Sequence, residues 1–119
     1  MSKIVQAVNA MILHPEKITE VTDFADWGWL LFLYDGKHKW AMKETDGDYS
    51  LLYFKTECCV GELADSEVFG AEPSVSYSSG ELGTKEARTS LRELYLLLKE
   101  KLLGIDKVLE DIIREDGPF

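Results

Sequence analysis

His14, His38, Cys58 and Cys59 are the only imidazoles and thiols in this chain of 119 residues, and their spacing limits the chemistry they can do. A structural zinc site draws its ligands from paired cysteines and histidines, and neither a second cysteine pair nor a histidine pair is present to complete one. No metal and no cofactor is therefore expected. His14 precedes Pro15 at the end of an apolar helical run and reads as a solvated or capping imidazole; His38 reads as a rim residue of a sheet rather than a general base. Adjacent cysteines do not easily close a disulfide with each other, and a reactive thiolate needs a cation or base nearby. Cys58 and Cys59 have glutamates nearby instead, and beside Val60 they read as reduced thiols at a buried strand end. Gly80-Glu81-Leu82-Gly83-Thr84 precedes a helix but lacks the lysine and further glycines of a phosphate-cradling loop, and Glu81 repels an anion. Nucleophile-elbow, metal-hydrolase and kinase signatures are absent. The expectation is a protein that is not an enzyme and acts by binding.

Two stretches could carry that binding. From Thr56 to Thr84 there is no Lys, Arg or His, while Glu57, Glu62, Asp65, Glu67, Glu72 and Glu81 supply −6 of the net charge of −9. Residues 1–55 and 85–119 are close to balanced, so the acidity is local. These six carboxylates form the first candidate contact surface, suited to steering a basic protein partner. At the level of analogy, small acidic α+β inhibitors of the immunity or anti-defence type and acidic secretion chaperones share this profile. The second candidate is a mixed platform of Phe32, Tyr34, Lys37, Lys39, Lys43 and Phe54, since aromatics interleaved with lysines on a sheet can stack bases and hold phosphates. Net charge argues against nucleic acid and against anionic membranes.

The elements that position these residues can be read from patterning. Ser2 caps a helix with Ile4, Val5, Val8, Met11 and Ile12 on one face, and His14-Pro15 ends it. Residues 16–26 read as a connection with at most a short edge strand, because Ile18, Val21 and Phe24 recur every three residues. Trp27 to Lys55 holds all three tryptophans and reads as three antiparallel strands joined by Asp35-Gly36 and Asp46-Gly47, both suited to two-residue type I′ loops. Two-residue loops would set Leu31 opposite Trp40, Trp29 opposite Met42, Met42 opposite Leu51 and Trp40 opposite Tyr53. One face would then carry Trp27, Trp29, Leu31, Leu33, Trp40, Met42, Tyr49, Leu51 and Tyr53 as core, and a one-residue bulge at either turn would invert the assignment. Glu57 to Val60 could extend the third strand, Glu62 to Phe69 form a helical turn, and Val75 to Ser78 a fourth strand.

Thr84 caps a last helix, in which Leu91, Tyr95, Leu98, Leu102, Ile105, Leu109 and Ile112 keep an unbroken heptad phase. A helix continuous from residue 85 to 115 would be ~46 Å long at ~1.5 Å per residue and would overhang a domain ~35 Å across. The seam would then pair with a second copy in a two-fold homodimer. A break at Gly104, preceded by Lys99 and Lys101, would fold both halves onto the sheet; glycine just past a helix end favours the break. The reading is one α+β domain over residues 1–119: an N-terminal helix, an antiparallel meander of three or four strands, and a long or Gly104-broken C-terminal helix on the Trp-rich face. No run reaches the ~20 apolar residues of a membrane span, and a cytoplasmic setting is expected from the reduced thiols.

Overall fold

Five strands form one antiparallel sheet in which each lies beside its sequence neighbours: β1 (Ile18–Phe24), β2 (Trp29–Tyr34), β3 (His38–Thr45), β4 (Asp48–Phe54) and β5 (Ser74–Ser78). The computed structural model describes residues 2–24 and 28–116. With helices at both ends of the chain the architecture is α+β, with five strands where three or four are expected. The strand without a clear pattern is β1. Ile18 and Val21, three residues apart, both pack into the main core, because a bulge falls between Thr19 and Thr22, where Glu20 takes φ +53°. The extra residue resets the alternation and erases the period of two from the sequence.

A second irregularity has larger consequences. Asp35 and Gly36 take φ +56° and +70°, and the turn is closed by the Lys37 N–H donating to the Tyr34 carbonyl at 3.2 Å. Yet the ladder resumes with Tyr34 paired to His38, so Lys37 is an added residue opposite Tyr34. Phe32 thus faces Trp40 and Leu30 faces Met42, one residue from the expected register. The assignments for β2 invert: Leu30, Phe32 and Tyr34 join the main core, and Trp29, Leu31 and Leu33 turn to the other face. Trp27 lies outside the described residues. The Asp46-Gly47 loop is the expected two-residue turn, pairing Thr45 with Asp48, and it keeps Met42 opposite Leu51 and Trp40 opposite Tyr53.

Both faces are covered. On the first, α1 (Lys3–Leu13) and α5 (Lys85–Leu103) supply Val8, Met11, Leu91, Leu94 and Leu98 against Leu30, Phe32, Met42 and Leu51. Ser2 accepts from the Val5 N–H at 3.3 Å to start α1, and Thr84 accepts from the Ala87 N–H at 3.0 Å to start α5. The Ser90 hydroxyl, donating to Asn9 Oδ1 at 2.7 Å, joins the two helices. On the second face, α2 (Val60–Leu63) and α3 (Ser66–Ala71) supply Val60, Leu63, Val68 and Phe69 against Leu31, Ala41 and Phe54. The chain after β4 therefore does not extend the strand. It leaves the sheet at Phe54 and returns across it as two short helices.

A short helix, α4 (Ser79–Leu82), carries the chain from β5 to α5. Buried Ser79 anchors it, donating to Asp48 Oδ1 and accepting from the Tyr49 N–H at 3.0 Å. After α5 the helix breaks as the glycine suggests: Gly104 takes φ +64°, ψ +36°, and its N–H bonds carbonyls of the last turn. A final helix, α6 (Ile105–Asp116), follows at once.

The inverted register makes opposite stability predictions for neighbouring residues. Phe32→Ala empties a fully buried position and should cost about 3–5 kcal/mol, whereas half-buried Leu33→Ala should cost no more than about 2 kcal/mol. Urea denaturation of the two variants measures this, and the reverse order would restore the two-residue loop.

Candidate interaction surface

Gly104 decides where the last apolar stripe goes. The heptad seam does not act as one surface: Leu91 and Leu98 are in the main core, and Tyr95 and Leu102 are half-buried against it, the Tyr95 ring tilted against that of Tyr49 with centroids 5.6 Å apart. Beyond the break, Ile105 is half-buried and every later described side chain through Glu115 is exposed. Leu109 and Ile112, the last seam residues, are 49% and 57% exposed, and Val108 and Ile113, next to them on the same helix, are exposed too. Neither expectation for Gly104 holds whole. The helix breaks, but the half beyond the break does not fold onto the sheet; it stands out as an amphipathic helix with a bare apolar face. Contiguous exposed apolar surface of this kind marks sites of interaction. Its polar face is mostly acidic, with Asp106, Glu110, Asp111 and Glu115 against Lys107 and Arg114, and Arg114 lies 3.8 Å from Asp111.

The six acidic candidates are not one open surface. Glu62 turns back to accept from the Cys59 N–H at 3.3 Å at the start of α2, and Asp65 caps α3 by accepting from the Glu67 N–H at 2.9 Å. Glu72 is half-buried and accepts from the Cys58 thiol at 3.2 Å. Glu57 and Glu67 are exposed on the same arch, and Glu81 stands apart, exposed on α4. The acidity of the segment is thus the outer side of a cover whose inner side, Val60, Leu63, Val68 and Phe69, closes the second core.

The aromatic and lysine platform is dismantled by the register. Phe32 and Phe54 lie on opposite faces of the sheet, both buried, and Tyr34 follows Phe32. Lys39 donates to the Thr56 carbonyl at 2.9 Å, Lys43 sits 5.7 Å over the Trp29 ring, and exposed Lys37 lies 3.9 Å from Asp35. Lys39 and Lys43 thus lie at the margins of the second core, while Lys37 is an exposed turn residue.

The thiols and imidazoles each sit in local contacts of their own. Exposed His14 has Nδ1 3.5 Å from Glu16, and exposed His38 has its ring 6.4 Å from that of Tyr53. No cluster of His, Cys, Asp and Glu among the described residues could hold a metal ion. The Thr56 side chain pulls the Cys58 thiol down by hydrogen bonding, but Glu72, the loss of water around the sulfur and the charge of Glu62 push it up further, leaving it above the ordinary thiol value. Gly80 cradles a carboxylate rather than a phosphate: a Cβ there would stand 3.3 Å from Asp48 Oδ2. No helix among the described residues is long and apolar enough to cross a membrane.

Sequence reading did not find a cavity of about 430 Å³ on the first face, at the β5 edge. Its walls are Tyr34, His38, Trp40, Tyr53, Val75 and Tyr77, and the small side chains of Ala7 and Ala10 on α1 leave it open. The Trp40 indole N–H, in that wall, is buried and has no hydrogen-bond partner among the described residues. The signal was present as aromatics on alternate positions of β3, β4 and β5, but the wrong register in β2 separated Tyr34 from the rest. Comparison with protein-family models, curated proteins and solved structures finds no significant match.

A raised thiol pKa means less thiolate at neutral pH and slower alkylation. Exposed Cys59 should therefore react with iodoacetamide well before Cys58 at pH 8, and Glu72→Gln, which removes an upward push, should accelerate Cys58. Peptide mass spectrometry over time measures both; a faster Cys58 in the unaltered chain would mark it as an activated thiol.

Proposed function

We propose that this protein acts by binding another protein, with α6 as the element that docks. The observation that carries the reading is the bare apolar stripe of α6, from Val108 through Ile113, on a helix set off from the body by Gly104. A surface-exposed amphipathic helix of this length fits the helix-in-groove mode, in which side chains at i, i+3, i+4 and i+7 anchor in an apolar cleft. Covering Leu or Ile side chains that are half to three-quarters exposed gains roughly 1–2 kcal/mol each, enough together to support binding after part is offset by lost motion on association.

The acidic rim of α6 indicates the partner's chemistry. Two copies paired through this helix would bring Glu110, Asp111 and Glu115 toward their equivalents, whereas a groove rimmed by Lys and Arg complements them. The exposed Glu57 and Glu67 on the α2–α3 arch add to the same negative field and favour encounter with a basic target. This supports an adaptor or inhibitor that occupies an apolar, basic-rimmed groove on its target, over a homodimer built on the full seam.

The test is affinity capture from the cells that make the protein, comparing the unaltered chain with Leu109→Asp/Ile112→Asp. Both positions are exposed, so the melting temperature should change by no more than a few degrees, while the retained target should fall at least tenfold. Glu110→Lys should weaken capture more at low salt than at high salt. Equal recovery of the same protein by the double variant would contradict the role of α6.

A further inference from the structure

We infer that the free edge of β5, together with the aromatic cavity beside it, is a second binding site, which takes an extended peptide segment carrying uncharged apolar side chains at alternate positions. This site is separate from α6 and does not depend on what α6 binds.

The two edges of the sheet are treated differently. The β1 edge is bulged, with Glu20 at φ +53°, and Lys17, Glu20 and Asp23 lie along it. Bulges and charges of this kind block the addition of another strand. The β5 edge has neither. Ser74-Val75-Ser76-Tyr77-Ser78 pairs in unbroken register with β4, contains no charged residue and no proline, and has Ser74, Val75 and Ser76 exposed.

The hydrogen-bonding groups that this edge offers follow from the ladder. The Lys55 N–H donates to the Pro73 carbonyl at 3.3 Å, in the same register as the pairs Tyr53–Val75 and Leu51–Tyr77. Hydrogen-bonded and non-hydrogen-bonded pairs alternate along an antiparallel ladder, so Val75 and Tyr77 bond inward to β4. The N–H and C=O groups of Ser74 and Ser76 point outward, as required to pair with an added strand, and so does the N–H of Ser78, whose carbonyl belongs to the start of α4.

The cavity supplies the side-chain specificity that such an edge lacks. Val75 and Tyr77 project from β5 onto the first face and form the cavity's near wall, with Tyr53, Trp40 and Tyr34 behind them. A strand added beside β5 would place its own residues i and i+2 on that face, next to Val75 and Tyr77, within reach of a space of about 430 Å³. Its walls hold no ionisable side chain other than the tyrosines and His38. Main-chain pairing with alternate side chains in a pocket is the β-augmentation mode of peptide recognition.

Phage-displayed random dodecapeptides, selected against the full chain, test the site. Enriched sequences should carry apolar residues at i and i+2, and their synthetic versions should shift the amide resonances of Ser74, Ser76 and Ser78 and the Trp40 indole N–H resonance. Ser76→Pro removes an outward donor without touching the inward bonds of Val75 and Tyr77, and Ala10→Trp fills the cavity; each should weaken binding about tenfold or more. Leu109→Asp/Ile112→Asp should leave it unchanged, which separates this site from α6. No enrichment over the Ser76→Pro variant, peptide-induced shifts on α6 instead, or an edge occupied by β5 of a second copy in solution would each overturn the inference.

Discussion

One extra residue at Lys37 fixes the side of the sheet on which the largest side chains of β2 fall. Alternation with period two leaves no intermediate choice: with Lys37 opposite Tyr34 beside His38, Phe32 must meet Trp40 and Met42 from the same side, and Leu31 must meet Ala41 and Phe54 on the other. Apolar residues are then present on both faces, and both have to be covered. The pair α1 and α5 covers one, and the acidic arch of α2 and α3 covers the other.

That requirement explains why the charged segment between β4 and β5 is not a free acidic arm. Its apolar residues Val60, Leu63, Val68 and Phe69 are inside, and Glu62, Asp65 and Glu72 are held by local hydrogen bonds. It also explains what is left over. With α1 and α5 lying over the middle of the first face, the residues after Gly104 do not pack onto the sheet, and α6 projects with Leu109, Ile112 and Ile113 bare. The Trp40 and Tyr77 end of the first face stays uncovered for a related reason: α1 passes over it with Ala7 and Ala10, side chains too small to fill the space.

Much of the fold was legible in the sequence where local chemistry dictates geometry. Ser2 and Thr84 cap the helices expected of them, Asp46-Gly47 makes the expected turn, and Gly104 ends α5 in the left-handed conformation that glycine favours. The sheet pattern misleads at the two bulges, at Glu20 and Lys37, where one residue shifts a register and no residue type announces it. The heptad phase across Gly104 was real but misleading, since the same spacing serves an internal core up to Leu98 and an external face from Leu109. Composition alone does not distinguish these two uses. The β5 edge was legible as a strand, but its freedom from charge acquires meaning only once it is known to lie at the margin of the sheet.

The measurement that bears most directly on α6 as an uncovered docking face is methyl NMR of the isolated chain with a soluble paramagnetic relaxation agent, alongside light scattering of the same sample. Strong broadening of the Leu109, Ile112 and Ile113 methyl signals, none for Leu94 or Leu98, and a mass of 13.5 kDa are expected at all concentrations. Protected α6 methyls in a monomer would show the helix folded against its own domain, and protected methyls with twice that mass would assign the stripe to a second copy; either result would contradict an open face awaiting a different protein.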